Sequence, residues 1–462
     1  MKSFIQNEAF RLVRLAFPVL ITQLIMIGMS VVDTLMAGQV SATDLAAVAL
    51  GGSLIMPLVF FCQGVLLAVT PIIANHFGAK RYRYIRRNMM QSLWLAFFLS
   101  LFGFAIATQL GRVAAMMSQD QHLIALASRY IHFMSFGIFG GCFYQAWRGL
   151  NEGMGNTRVI MMFGILGLLL NIPANYIFIH GLFGLPRLGG AGCGLATALV
   201  FTFMALGLGG YVYSCKRYRY LQLFQIQFWP RWDRIYAILC LGLPIAFSIF
   251  FEISLFSAIT LLMTPFGPTT IAGHQVALNV VSVVFMVPLS IGITLTIRVG
   301  QLLGERRLVD ARRVGLLGLG LCLIVAMFTA SLTLIFRPNI VHFYSQDPQV
   351  QIVAIHLLLI GAAFQIFDAL QVVTAGILRG YQDTRSVLWI TLISYWPIGL
   401  GSGCILGLTD WLTKKPMGAT GFWLAFMFGL GCSAILLLIR FSRLSRRYAN
   451  WNIPSQKVQH AI

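Results

Sequence analysis

The stretch FGAKRYRYIRR at residues 77–87 returns as LGERRLVDARR at residues 303–313, and Gly78 of the first copy falls on Gly304 of the second. The offset is 226 residues, close to half of the 462-residue chain. Apolar runs of about 20 residues, long enough to cross a bilayer as a helix, flank both copies. A basic segment between two such runs is typical of a loop at a membrane surface. The duplicated loop therefore predicts a membrane protein built from two similar halves.

The apolar composition extends this prediction to the whole chain. Hydrophobic residues make up 58% of the sequence and charged residues only 10%, whereas a soluble domain carries about 25% charged residues. The apolar runs lack the alternation that spanning strands require, so we expect spanning helices. No polar segment is long enough for a separate soluble domain. The expected fold is all-α, with twelve transmembrane helices at approximately 12–37, 45–72, 88–110, 122–147, 158–180, 191–214, 235–262, 270–297, 314–336, 352–378, 387–409 and 419–440.

The formal net charge of +20 is distributed unevenly between the loops. If the amino terminus and alternate loops are assigned to one side, that side carries 27 of the 33 Lys and Arg residues. The positive-inside rule then places both termini in the cytoplasm. The basic charge is thus a topology signal, and we expect no nucleic-acid partner. The six remaining cations are Arg112, Arg129, Arg187, Arg337, Lys414 and Lys415.

A second pair of matching segments completes the repeat. EGMGNTR at 152–158 matches RGYQDTR at 379–385 at an offset of 227 residues. Each half then holds six spans, and an even number gives both halves the same orientation, related by an axis along the membrane normal. We expect an N-terminal lobe at 1–220, a cytoplasmic linker at 221–234 and a C-terminal lobe at 235–462. This architecture recurs in transporters with a site near mid-membrane, although duplication could also simply enlarge a bundle.

Three of the 13 acidic residues lie inside predicted spans: Asp33 in span 1, Glu252 in span 7 and Asp368 in span 10. An ionised carboxylate in hydrocarbon is costly, and such residues usually mark an ion or substrate path. The alternative is a structural carboxylate neutralised by a neighbouring base, but only Arg129 lies well inside a predicted span. One arginine cannot serve acids on three spans, so the pattern favours a role in binding cations.

Methionine and phenylalanine side chains surround these acids at helical spacing. A carboxylate beside Met and Phe suits a lipophilic cation, which gains charge neutralisation, cation–π contact and a deformable apolar wall. Ordinary packing is the alternative for these apolar residues. Two amides in span 8 fit either a cavity wall or hydrogen bonds between helices. The predicted substrate cavity comprises Met26, Met29, Phe256, Phe364, Gln275 and Asn279.

Span 5 reads GLLLNIPANYIF, which places Asn171 and Asn175 one helical turn apart. Amide oxygens near a carboxylate could form an oxygen cage for Na⁺, and the same groups fit a proton-linked hydrogen-bond network. The sequence contains no P-loop, zinc-protease motif or nucleophile elbow. Uphill transport must then draw on an ion gradient, so we expect Na⁺ or H⁺ as the coupling ion and no cofactor.

Several segments carry a resemblance to a known family: FPVLITQLIMIGMSVVDTLMAG, LLLNIPANYIF, GGAGCGLATA, FFEISLF, AGHQVALN, SIGITLTIRVG and LRGYQDT. Over residues 8–445 the chain resembles the multidrug and toxic compound extrusion (MATE) family in its NorM branch. The resemblance implies a two-lobed exporter, not an enzyme, that expels cationic drugs and dyes in exchange for Na⁺ or H⁺. We further expect a functional monomer in the lipid bilayer of the cytoplasmic (inner) membrane of a bacterium.

The resemblance further implies one coupling-cation site in each lobe. In the NorM branch the C-lobe site uses a span-7 Glu and a span-10 Asp, and the N-lobe site uses a span-1 Asp with span-5 Asn residues. Some relatives carry a Tyr one turn before the span-10 Asp, where this chain has Phe364 and therefore lacks a ligand hydroxyl. The matching residues are Glu252 and Asp368 in the C-lobe, and Asp33, Asn171 and Asn175 in the N-lobe.

Two other functions are weighed against export. A flippase for a lipid-linked precursor, on a related two-lobe fold, would favour cationic residues in its cavity to hold pyrophosphate, whereas the predicted interior is acidic. A polytopic membrane enzyme would need clustered acids with a nucleophile or a histidine at a membrane surface, whereas the three acids here lie deep in separate spans.

Overall fold

The computed structural model describes residues 2–117, 120–223, 229–410 and 416–449. All regular structure in these residues is helical, and 12 helical stretches are long and apolar enough to cross a membrane. These stretches fall at the twelve predicted spans and keep their numbers. The all-α polytopic fold is therefore confirmed, while Lys414 and Lys415 lie outside the described residues.

The observed helices are mostly longer than the predicted spans, because polar residues at the ends continue the helix beyond the apolar run. Span 2 consists of two helices and span 11 of three consecutive helical segments. Short 3₁₀ helices follow spans 6 and 7 at Lys216–Leu221 and Thr264–Phe266. The helices of spans 1 to 12 are, in order, Lys2–Val40; Ala42–Leu66 with Val69–Gly78; Tyr82–Met117; Gln121–Gly153; Thr157–His180; Ala191–Ser214; Trp232–Leu262; Pro268–Gly304; Leu308–Tyr344; Pro348–Gly380; Thr384–Ile393, Ser394–Leu400 and Gly401–Leu408; and Ala419–Ala449.

Spans 1–6 and spans 7–12 form two lobes with equivalent interiors. The N-lobe core contains Ile55 of span 2 and Met204 of span 6. The C-lobe core contains Leu295 of span 8 and Leu437 of span 12, which are the equivalent spans of the second half. The same spans of each half thus supply the buried side chains, as a parallel repeat requires.

The first halves of spans 1 and 7 join the two lobes. Leu12 of span 1 is buried in the C-lobe core, and Ala246 of span 7 is buried in the N-lobe core. Gly64 of span 2 permits the second contact, because a Cβ there would lie only 3.0 Å from the Ala246 Cα. These residues lie in the halves of their spans that adjoin the basic loops, so the lobes meet at that end.

Spans 2 and 8 cross each other through glycines. A Cβ on Gly78 would overlap the backbone carbonyl of Gln301, and a Cβ on Gly304 would overlap the backbone carbonyl of Asn75. The two contacts are related by the 226-residue offset. Small residues let membrane helices approach backbone to backbone. Gly78 and Gly304, the glycines that the repeat duplicates, therefore form two equivalent contacts between the lobes.

The loops after spans 2 and 8 also share one backbone conformation. Lys80 and Arg306 both have positive φ angles, of 56° and 61°. The N–H groups of Arg81 and Arg307 each donate to the carbonyl five residues earlier at 2.9 Å. A positive φ is uncommon in residues with a side chain. Its occurrence at equivalent positions shows that the sequence repeat is also a structural repeat.

Candidate cation sites in the two lobes

The Asp33 carboxylate is surrounded by donors from spans 5 and 6. The amides of Asn175 and Asn171 donate to its Oδ1 at 2.6 and 3.2 Å, and the Thr197 hydroxyl donates to Oδ2 at 2.7 Å. Asp33 itself is only 7% exposed. Hydrogen bonds to a charged group offset part of the cost of burying it. The structure thus brings together the three residues predicted for the N-lobe.

Thr197, the third donor to this carboxylate, was not among the residues predicted from the sequence. It lies in the segment GGAGCGLATA, one turn after Cys193, whose thiol donates to the Asp33 backbone carbonyl at 3.5 Å. Threonine commonly hydrogen-bonds between membrane helices, so the residue type alone does not distinguish a site. Its relation to Asp33 follows only from the packing of the N-lobe helices.

The side-chain amide oxygens of Asn171 and Asn175, near Asp33, accept few hydrogen bonds. Asn171 Oδ1 accepts from the Asn175 amide at 3.2 Å. Asn175 Oδ1 is buried and has no hydrogen-bond partner among the described residues, although an unpaired buried acceptor is costly. In this arrangement the amides present N–H groups to the carboxylate. A cation that needs oxygen ligands would require both amides to rotate.

The C-lobe carboxylates have a different setting. Asp368 is 7% exposed, and in the described part of the chain no hydrogen bond reaches its carboxylate or that of Glu252. Asp368 lines a small cavity between spans 8, 9 and 10, together with apolar side chains, Gln365 and Thr329. A buried carboxylate without donors is costly. The site therefore suits a partner that brings positive charge, whether a proton, a metal ion or an organic cation.

Glu252 lies half-buried, within electrostatic range of Asp368 and Arg379. Arg379 lies just beyond the predicted bounds of span 10, but the helix continues to Gly380 and includes it. The Nε of Arg379 is buried without a hydrogen-bond partner in the described chain. Arg129 is therefore not the only arginine to consider beside these acids, because span 10 is longer than its apolar run and brings Arg379 into range of Glu252.

An irregular part of span 11 borders Glu252. Residues Ser394–Leu400 form a π-helix, and the Trp396 indole N–H donates to the Phe251 backbone carbonyl at 3.4 Å. Buried Tyr395 of the same segment lies within electrostatic range of Glu252. Single π-helical turns occur frequently at functional sites, and this one holds span 11 against the residue that precedes the acid.

The residues predicted for the substrate cavity do not share one surface. Met29 and Phe364 lie in the packed lobe cores, at 3% and 1% exposure. The Phe364 ring packs against Phe426, with ring centroids 5.1 Å apart. The others are Met26 and Phe256, which are partly buried against the cores, and Gln275 and Asn279, which are exposed on span 8. In this conformation the span 8 amides are the members most open to a ligand.

Two buried ion pairs lie near the basic loops. Arg298 of span 8 donates to Glu8 of span 1 through Nε at 2.8 Å and through Nη2 at 2.6 Å. Arg148 Nε donates to Glu152 at 2.6 Å within span 4. Both acids lie outside the spans predicted from the sequence, but helices cover them and leave Glu8 6% and Glu152 2% exposed. The Glu8–Arg298 pair connects the two lobes.

Comparison with known proteins gives a family match and close relatives. A family model described as MatE matches residues 18–177 and 244–405, one stretch in each lobe. The multidrug resistance protein MdtK of Yersinia enterocolitica is 42% identical over 441 residues, covering 95% of this chain and 96% of the relative. The protein of the same name from Photorhabdus laumondii is 44% identical over 441 residues, covering 94% and 95%.

Solved structures share the fold at lower sequence identity. A eukaryotic MATE transporter, AtDTX14, aligns with a TM-score of 0.86 at 18% identity, over 96% of this chain and 99% of that one. An outward-facing multidrug resistance MATE family transporter of the MOP superfamily aligns with a TM-score of 0.87 at 19% identity, over 96% of each chain. These alignments include both lobes.

Proposed function

The chain belongs to the MatE family of multidrug and toxic compound extrusion transporters, and from this membership we propose that it exports lipophilic organic cations in exchange for Na⁺ or H⁺. Transporters of this family are not enzymes. The observation that carries the proposal is the Asp368 carboxylate, which is buried, receives no hydrogen bond in the described chain and lines a cavity. The names of the curated relatives, multidrug resistance proteins, support export of drugs.

Exchange follows from competition of the two cations for the same carboxylates. A drug cation and a coupling ion each neutralise the C-lobe carboxylates, so binding of one favours release of the other. An ionised carboxylate left alone at membrane depth is unfavourable. The protein therefore crosses between its two open states most readily when one of the two cations is bound, which couples their movements.

We infer that both termini and the basic loops lie in the cytoplasm. We also infer that the protein functions as a monomer in the inner membrane of a bacterium. The uneven distribution of Lys and Arg supports this orientation. The inter-lobe contacts near Gly78, Gly304 and the Glu8–Arg298 pair then close the cytoplasmic end. Inward opening requires these contacts to separate.

The two lobes suit different coupling ions. A proton needs a single carboxylate, whereas Na⁺ needs several oxygens. Phe364 offers no oxygen in the C-lobe, so its two carboxylates suit protons. In the N-lobe, Asp33 with Asn171 and Asn175 can supply several oxygens once the amides rotate. Any Na⁺ dependence is therefore assigned mainly to the N-lobe.

Transport into vesicles tests the proposed function. Inverted vesicles containing the protein are given a Na⁺ gradient or a pH gradient separately, and uptake of ethidium is compared with uptake of an anionic dye of similar size. We expect gradient-driven uptake of the cation and little uptake of the anion, because the interior carboxylates attract only the former. Equal uptake of both dyes would favour the flippase and its lipid-like substrate.

A further inference from the structure

Four arginines at the ends of spans 2, 3 and 7 form a group, and Asp233 lies within electrostatic range of one of them, Arg234. This N-lobe basic cluster comprises Arg81, Arg86, Arg87 and Arg234, and in the described chain none of them forms an ion pair. The guanidinium carbons of Arg81 and Arg234 lie 6.0 and 5.9 Å from the centre of the Tyr84 ring. Arg234 also lies within electrostatic range of Arg87. The fold thus brings like charges together around one aromatic ring.

The second half of the repeat neutralises the equivalent positions with its own acids. Arg307 forms ion pairs with Glu305 at 3.4 Å and with Asp310 at 2.9 Å. At the 226-residue offset, the positions of these two acids are occupied by Ala79 and Tyr84 in the N-lobe. The N-lobe copy of the loop therefore keeps the arginines but lacks these two acids. The shared fold does not require this difference in charge, so it is a property of the N-lobe sequence.

Clustered cations repel one another, and two of them also carry a buried nitrogen without an acceptor in the described part of the chain. The Nε atoms of Arg86 and Arg234 are buried and lack hydrogen-bond partners in the described residues. The hydrogen bond that Arg86 Nη1 donates to the Gln222 Oε1 is long, at 3.5 Å. An anion beside the cluster would reduce the repulsion and give the guanidinium groups acceptors.

An aromatic surface continues from the cluster toward the middle of the membrane. The rings of Phe98 and Trp232 stack with centroids 5.4 Å apart, and Trp232 and Phe97 are 66% and 40% exposed. Gln91 holds the start of span 7 here, because its Oε1 accepts from the Arg231 backbone N–H at 2.7 Å. Aromatic residues of this kind are typical of the boundary between headgroups and acyl chains.

We propose that the N-lobe basic cluster binds the phosphate of an anionic phospholipid in the leaflet next to the basic loops, with the acyl chains along Phe97 and Trp232. A free phosphate ion would contact the arginines but would leave the aromatic surface uncovered. The site adjoins the helix that ends at Gly78, so a bound lipid also stabilises the end at which the lobes meet.

Retention of phosphatidylglycerol by the purified full chain tests the proposal. Protein from phosphatidylcholine vesicles with and without phosphatidylglycerol is analysed by native mass spectrometry. Arg87→Gln/Arg234→Gln removes two cations, and Ala79→Glu/Tyr84→Asp introduces the acids of the C-lobe copy. Each surface cation contributes about 1 kcal/mol to binding of anionic lipid. We therefore expect each double variant to retain roughly 10- to 30-fold less phosphatidylglycerol.

A matched control lies in the other half of the repeat. Arg312→Gln/Arg313→Gln removes the C-lobe equivalents of Arg86 and Arg87 but leaves the N-lobe basic cluster intact, and Arg313 already pairs with Asp310 at 3.4 Å, so we expect little change in retention. Unchanged retention in Ala79→Glu/Tyr84→Asp, or an equal loss in the control, would overturn the proposal. Displacement of the lipid by inorganic phosphate at constant ionic strength would also overturn it, because the site would then bind an ion only. Ethidium uptake in vesicles without phosphatidylglycerol verifies that each variant is folded.

Discussion

At the scale of single residues, two aspartates of equal burial are held in opposite ways. Asp33 receives hydrogen bonds from two amides and a hydroxyl, whereas Asp368 receives none in the described chain. Neutral donors offset part of the cost of the first charge, and only an arriving cation can offset the cost of the second. The two lobes therefore differ in chemistry although they share a fold.

Replacing Thr197 by valine removes one donor to Asp33 with little change in shape. A hydrogen bond to a charged group contributes about 1.5–3 kcal/mol, so we expect Na⁺-stimulated efflux to fall more than efflux driven by a pH gradient. Dye efflux in vesicles under each gradient measures this difference. Thr202→Val is the control, because that hydroxyl donates to the Ala198 backbone carbonyl instead. Equal losses in the two variants would remove Thr197 from the site.

Asp33→Asn tests the assignment of Na⁺ to the N-lobe. The substitution keeps the size of the side chain and removes its charge, and with it the carboxylate that we propose as a Na⁺ ligand in that lobe. We expect Na⁺-stimulated dye efflux to disappear while a part of the pH-driven efflux remains. Strong Na⁺-driven efflux in this variant would show that the ion binds elsewhere.

Sequence alone predicted much of these sites at the residue scale. Asp33, Glu252 and Asp368 were identifiable because charged residues are rare inside apolar spans, and the one-turn spacing of Asn171 and Asn175 indicated a common face. Thr197 and Arg379 were not identifiable. The first depends on packing between helices, and the second on how far a helix continues past its apolar run.

At the scale of helices, the crossing of spans 2 and 8 depends on the absence of side chains. Gly304→Ala places a methyl group against the Asn75 backbone carbonyl. We expect the lobes to separate at this end and efflux to be lost, because the closed contact can no longer form. Gly320→Ala is the control, since a Cβ there meets no atom within 4 Å. Normal dye efflux by Gly304→Ala would show that the crossing is not part of the transport cycle.

The ion pair between spans 1 and 8 is the second inter-lobe contact that can be tested. Glu8→Gln leaves Arg298, which is 1% exposed, with the more distant Glu305, at 3.7 Å, as its remaining ion-pair partner among the described residues. Breaking a buried pair by removing one partner costs about 3–5 kcal/mol, so we expect a clear loss of stability in a denaturant titration in detergent. Asp233→Asn, which breaks an exposed pair with Arg231, should change stability little. Equal stability of both variants would contradict the burial of the Glu8 pair.

The internal repeat was the most predictable feature at this scale. The spacing of FGAKRYRYIRR and LGERRLVDARR indicated two halves, and the turns at Lys80 and Arg306 adopt the same backbone. The π-helix of span 11 and the buried position of Glu8 were not predictable. The spacing of apolar residues does not distinguish a π-helix from an α-helix. The polar end of a helix, such as the one that contains Glu8, resembles a loop in its composition.

At the scale of the whole molecule, all of the inter-lobe contacts described above lie near the basic loops. The orientation of the protein in the membrane therefore determines which end is closed. Single cysteines at Arg83 and Arg307, both exposed, report this orientation in a background without other cysteines. We expect both to resist an impermeant thiol reagent applied to intact cells, because the loops are assigned to the cytoplasm. Ready labelling of both positions would reverse the orientation and make the contacted end extracellular.

The central claim is that the C-lobe carboxylates exchange a drug cation for the coupling ion, and its most direct test is dye efflux by Glu252→Gln and Asp368→Asn. Both variants preserve shape and remove charge, and Asp347→Asn, at the start of the same helix as Asp368, is the control. We predict that each of the two variants abolishes efflux in vesicles while expression and membrane insertion stay normal, and that the control transports like the original protein. Near-normal efflux in either variant would contradict the claim and return that acid to a structural role.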